Sequence, residues 1–152
     1  MEKTLYDAYV NILKEELVPA MGCTEPIAVA YAAAIARDTL TTLPETIELI
    51  VSGNIVKNVK SVVVPNTGGL RGIAASAAAG IIAGNTKKEL EVIADVTSEQ
   101  ITQISDYLNN ADNFINAAIS SLSIFLGFAP ILLVLSLETS FGISSSFTLH
   151  AA

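Results

Sequence analysis

The chain has 152 residues, enough for one domain with a true core, and it carries a net charge of −7, 51% hydrophobic residues and a mean hydropathy of +0.55. The acidic balance excludes nucleic-acid binding through clustered Lys and Arg. The single cysteine excludes an internal disulfide framework and a zinc site of four cysteines. Met1-Glu2-Lys3-Thr4 has no basic region leading into an apolar run, so no signal peptide is expected and a reducing cytoplasm is.

Residues 3–18 are expected to form an amphipathic helix, with Leu5, Tyr9, Ile12, Leu13 and Leu17 at helical spacing and polar residues between them. Pro19 and Gly22 break that pattern. Thr24 reads as an N-cap, with Glu25 and Pro26 in the first turn of a second helix over 25–40. Its alanines at 28, 30, 32, 33, 34 and 36 suit burial on most sides. Cys23 then sits beside a helix N-terminus. The partial positive charge there favours thiolate, the form that acts as base, nucleophile or ligand. The commoner role of a lone cysteine, a small buried hydrophobe, stands beside that reading.

Thr46 to Val51 alternates and is β-branched, which predicts a strand. Ser52-Gly53-Asn54 reads as a turn, and Ile55 to Val59 fits either a strand or a helical turn. Val62 to Val64 is a second expected strand, stopped by Pro65. The loop Asn66-Thr67-Gly68-Gly69-Leu70-Arg71-Gly72 opens a third, alanine-rich helix from Ile73 to about Ala83. Thr86 is expected to cap a short helix over 87–94. Thr97 and Gln100 predict a capping box on a last amphipathic helix with Ile101, Ile104 and Leu108 on one face. The fold class is therefore α+β, predominantly helical, with alanine-rich buried helices and a short sheet from residues 46–64.

Composition changes near residue 112. All eight basic residues lie at or before Lys88, and residues 113–152 carry one charge, Glu138, besides His150. Residues 1–112 read as one unit and 113–152 as an anomalous apolar tail. Phe114 to Leu137 holds 24 uncharged residues, but serines, Gly127 and Pro130 interrupt it and no Lys or Arg flanks it. A buried or poorly ordered segment is expected there in preference to a membrane span. His150 reads as a disordered terminal residue rather than a ligand.

Three segments could carry chemistry. The Cys23 turn offers a thiolate, with Glu25 as a base or as a structural first-turn carboxylate. Ser52 to Asn58 offers amides and one ammonium, with Asn54 and Lys57 as candidates. The 66–72 loop offers backbone N–H groups around Thr67 and Gly68, and Arg71 could pair with a carboxylate. It lacks the spacing of a Walker A or a dinucleotide loop.

Pro19-Ala20-Met21-Gly22-Cys23-Thr24-Glu25-Pro26-Ile27-Ala28-Val29-Ala30, Ser52-Gly53-Asn54-Ile55 with Lys57-Asn58, and Val64-Pro65-Asn66-Thr67-Gly68 follow one another in order. These three blocks resemble the signature of the L-cysteine desulfidase family, itself related to the α chain of the iron–sulfur L-serine dehydratases. The resemblance covers about residues 3–110. It implies a lyase that converts L-cysteine to sulfide, ammonia and pyruvate with a [4Fe–4S] cluster. It also implies that Cys23 accepts the substrate α-proton. Glu25, Asn54, Lys57, Thr67, Gly68 and Arg71 are the substrate-binding candidates. The family's cluster cysteines lie in its C-terminal part, and this chain has none after Cys23. The expectation is thus an incomplete fragment without metal ligands of its own, from a truncated or frame-shifted product. Its partners are a small-molecule substrate, L-cysteine or L-serine, and further copies of itself, with no nucleic acid or membrane. The alternatives are a serine dehydratase-like deaminating lyase and a non-catalytic remnant that binds a small acid or a partner.

Overall fold

The protein, a computed structural model, is described at residues 2–17, 19–44 and 46–110, and as backbone at 118–119, 131–138 and 144–151. The chain runs through α1 (Lys3–Glu16), α2 (Thr24–Leu40), β1 (Thr46–Val51), α3 (Gly53–Val59), α4 (Gly72–Ala83), a 3₁₀ helix (Thr86–Glu91), α5 (Ser98–Asn109) and strands β2 (Ala118–Ile119), β3 (Ile131–Glu138) and β4 (Ser144–Ala151). It is predominantly helical, and its helices carry the core.

Small side chains let α2 and α4 meet. Ala30, Ala33 and Ala34 of α2 and Ala77, Ala78 and Ala79 of α4 are fully buried. A methyl group at Gly80 would lie 2.0 Å from the Ala30 carbonyl oxygen, and one at Gly84 would lie 2.6 Å from Ala34 Cβ. Glycine in mid-helix costs about 1 kcal/mol relative to alanine. Here it admits a neighbouring backbone, and Ile27, Ile81, Ile93 and Ile104 close the space around the contact.

Side chains finish the helix ends. Arg37 of α2 donates to the carbonyls of Ile81 and Gly84, both at 2.9 Å, so a cation satisfies partly buried carbonyls at the end of α4. Thr97 and Gln100 form the expected capping box, with Gln100 N donating to Thr97 Oγ1 at 3.2 Å and Thr97 N to Gln100 Oε1 at 2.9 Å. The segment after α4 is a 3₁₀ turn capped by Asn85 rather than a helix capped by Thr86.

The sheet departs from expectation. β1 pairs antiparallel with β3 from Thr46–Ser136 to Val51–Ile131, parallel with β2 at Ile50–Ala118, and β3 pairs with β4. The order is β2-β1-β3-β4. Val62 to Val64 does not join it. Val63 makes an isolated bridge to Arg71, because Val64 N donates to Leu70 O and Gly72 N to Val62 O. Those backbone groups are spent on the loop that they flank. Residues 55–59 are helical because the Ser52 hydroxyl accepts from Ile55 N at 3.4 Å and starts α3.

The expected boundary at residue 112 lies outside the described residues, as do the rest of 111–117, residues 120–130 and residues 139–143. His150 is in β4, opposite Leu132, and is not a loose terminal residue. Residues 131–137 of the apolar stretch are extended strand. Among the described residues no helix is long and apolar enough to cross a membrane.

Candidate functional site

The first turn of α2 carries the cysteine. Cys23 is the N-cap residue, with extended backbone at φ −69°, ψ 125°, and it is exposed. Thr24, expected as the cap, is the first helical residue. Pro26 is third, where a backbone N–H would have no helical partner in any case. Burial of Pro26, Ile27 and Val29 anchors this turn to the core and leaves Cys23 and Glu25 at its rim.

Glu25 gathers the local donors. The Cys23 thiol donates to Glu25 Oε2 at 3.1 Å, and the Thr24 hydroxyl donates to the same oxygen at 3.3 Å. From α3, Asn58 Nδ2 donates to Glu25 Oε1 at 2.9 Å. These donors, the thiol first among them, hold Glu25 below the usual carboxylate range. The converse acts on the sulfur. Its hydrogen bond to Glu25 pushes the Cys23 thiol above its ordinary value, with burial and the carboxylate charge acting in the same direction. The carboxylate therefore works against the thiolate that the helix start favours. A full carboxylate two residues away outweighs the partial charge of a helix end.

The second block anchors through Ile55 and Val59, both buried on α3. Asn54 and Lys57 are exposed on that helix, and it is Asn58 that reaches Glu25. Sequence reading passed over Asn58 as a site residue. Its position one residue after Lys57 in the second block was the available signal.

The third block meets the first from the other side. A methyl group at Gly22, where φ is +80°, would lie 3.3 Å from Pro65 Cγ. Asn66, with φ +57°, donates to the carbonyls of Ile93 and Ala94 at 3.1 and 2.8 Å and lies 3.7 Å from Met21 Sδ. Met21 N donates to Leu90 O at 3.3 Å. The three blocks, separated in sequence, thus converge on the start of α2.

The other candidates have different tasks. Thr67 is 1% exposed, and its hydroxyl donates to Val64 O at 2.8 Å, so it braces the loop. Gly68 takes φ +71°, and a methyl group there would lie 3.1 Å from Ile101 Cγ2, so it permits close packing on α5. Arg71 is exposed and donates to Ser61 O at 2.8 Å. The Arg71 candidacy for a substrate carboxylate competes with that structural bond.

An open depression of about 490 Å³ is lined by Arg37, Asp38, Leu43, Ile82 and Gln103 among others. It lies some fourteen residues, roughly 20 Å, along α2 from Cys23 and is separate from the converged blocks. Among the described residues no three His, Cys, Asp or Glu side chains come together as a metal group.

No protein-family model matches the chain, and no solved structure does. The chain is 59% identical over 117 residues to a UPF0597 protein of Desulfitobacterium hafniense (strain Y51). It is 55% identical over 108 residues to one of Treponema denticola, and 51% over 107 residues to one of Fusobacterium nucleatum. These matches cover 77%, 71% and 70% of the chain, and 27%, 25% and 25% of the relatives. The chain is thus similar to UPF0597 proteins and spans about a quarter of the length of the curated relatives it matches.

Proposed function

We propose that this chain supplies the proton-accepting part of a lyase that breaks L-cysteine down to sulfide, ammonia and pyruvate, as its resemblance to the L-cysteine desulfidases implies. The observation that supports the reading most is convergence. Three blocks that share only sequence order in that resemblance meet around Cys23, through Asn58 on Glu25 and Pro65 on Gly22.

In this reading the Cys23 sulfur, as thiolate, takes the α-proton of bound L-cysteine. The electron pair of the broken Cα–H bond forms a Cα–Cβ double bond as sulfide leaves Cβ. The aminoacrylate product hydrolyses to pyruvate and ammonia. The exposed rim of α2 gives the substrate direct access to the sulfur. A free thiol of this kind belongs in a reducing cytoplasm. A [4Fe–4S] cluster needs several thiolate ligands, and this chain has one cysteine, so its residues do not make a cluster site. L-serine differs from L-cysteine only in the leaving atom, and the same proton transfer would serve it.

The test is deuterium uptake at Cα of L-cysteine and L-serine in heavy water, followed by NMR, with sulfide and pyruvate measured alongside. It is run on this chain and on the D. hafniense relative. The expected result is exchange that is lost in Cys23→Ala and in the matching variant of the relative. Faster exchange and pyruvate release with L-serine would reassign the substrate to serine. Exchange that survives in both cysteine variants would overturn the reading.

A further inference from the structure

Cys23 and Glu25 are close in sequence, but the carboxylate that meets the sulfur is held from elsewhere. Asn58 lies 33 residues away, on a helix fixed by buried Ile55 and Val59, and its amide reaches Glu25 Oε1 at 2.9 Å. That bond leaves Oε2 turned toward the thiol at 3.1 Å. The two oxygens of one carboxylate are thus divided between two motifs.

We propose that Glu25, pinned by Asn58, is a positioning residue for Cys23: it aims the sulfur and retains the sulfur's proton. The proposal rests on the reading of Cys23 as a proton acceptor and gives Glu25 a role other than substrate binding. A carboxylate that accepts from the thiol makes the thiolate scarcer and, once formed, more basic. When the thiolate forms, its proton passes to solvent water, which the exposed rim admits.

The remaining charged groups nearby have other settings. Lys57 of α3 and Lys60 just after it are exposed, and Arg71 donates to Ser61 O. On the 3₁₀ helix that meets Met21, Lys87, Glu89 and Glu91 are exposed, and Lys88 pairs with Asp95. Glu25 is the group that bonds the sulfur.

The experiment is the rate of Cys23 alkylation by iodoacetamide against pH in this chain, which requires no lyase activity. Glu25→Gln is expected to move the midpoint down by about half a pH unit, the scale of a like-charge pair a few ångströms apart near water. Asn58→Ala is expected to move it in the same direction by less. Glu25 stays ionised where the thiol titrates, so losing Asn58 acts on its position rather than its charge. In concentrated urea the Asn58→Ala shift should vanish, since the contact spans the fold. Thermal melts of the variants show that each is folded before titration. An unmoved midpoint in Glu25→Gln overturns the proposal. So does an unmoved midpoint in Asn58→Ala, or an Asn58→Ala shift that persists in urea. Failure of Cα deuterium exchange in both proteins would instead overturn the lyase reading and leave these midpoints unaffected.

Discussion

Helices α1 and α2 are neighbours in sequence and opposites in burial. α1 has a well-formed apolar stripe and a polar face, yet none of its fourteen residues is buried. Leu5, Tyr9, Ile12 and Leu13 are 46–54% exposed. α2 has no polar face, and eight of its seventeen residues are buried. The lesson is that amphipathic spacing records a surface able to bury itself, whereas a helix of alanines and small residues records one that must. The core of this chain is made by the second kind.

The contact between α2 and α4 is where that contrast breaks most readily. Gly80→Leu places a branched side chain where even a methyl group would meet the Ala30 backbone at 2.0 Å. We expect a loss of about 3 kcal/mol or more, enough to leave the chain unfolded or molten, read by urea titration of circular dichroism. A cooperative transition with an unchanged midpoint would show that α2 and α4 do not approach so closely. Arg37→Ala removes the donor shared by the Ile81 and Gly84 carbonyls and should cost about 2 kcal/mol in the same assay, the scale of charge-assisted bonds to partly buried acceptors.

Tyr107→Phe is a smaller change with a pH signature. The Tyr107 hydroxyl donates to Pro44 O at 2.8 Å, and burial pushes its pKa up to about 12. Its loss should cost about 1 kcal/mol at neutral pH. Unfolded tyrosine ionises near 10, so between about pH 10 and 12 the unfolded state loses a proton that the folded state keeps. The stability from Tyr107 is full below pH 10 and falls as pH rises toward 12. The gap between wild type and Tyr107→Phe should narrow over that range. A gap constant with pH would mean that Tyr107 is not buried in the folded chain.

Much of the helical fold was legible because it is written locally. The Thr97–Gln100 capping box, the alanine runs and the alternation of Thr46 to Val51 all read directly. Val62 to Val64 misled because β-branched residues report a tolerance for extended backbone, not a partner. Their hydrogen bonds go to Leu70 and Gly72. Residues 55–59 fit strand or helix by composition alone, and the Ser52 cap decides for helix. At the site, order and spacing pointed to Cys23 but not to its protonation. The macrodipole is a property of any helix start, whereas Glu25 acts through one hydrogen bond that a rotamer makes or breaks. Asn58 stands in the second block, but its bond to Glu25 spans 33 residues, so that role belongs to the fold and not to the motif.

The sharpest use of the comparison is also the smallest effect. Ile12→Ala and Leu13→Ala remove side chains that are 54% and 53% exposed. A buried isoleucine such as Ile81 should cost about 2–5 kcal/mol on the same change, through lost burial and the cavity left behind. For the α1 pair the expected loss is within about 0.5 kcal/mol, because alanine keeps helix propensity and little buried surface disappears. The measurement is the urea midpoint of each variant against wild type at matched slope. A loss near 2 kcal/mol would break the contrast, since a stripe that costs that much to erase must be covered when the chain is folded. A loss within the expected range leaves α1 an amphipathic helix whose apolar face contributes nothing to holding this chain together.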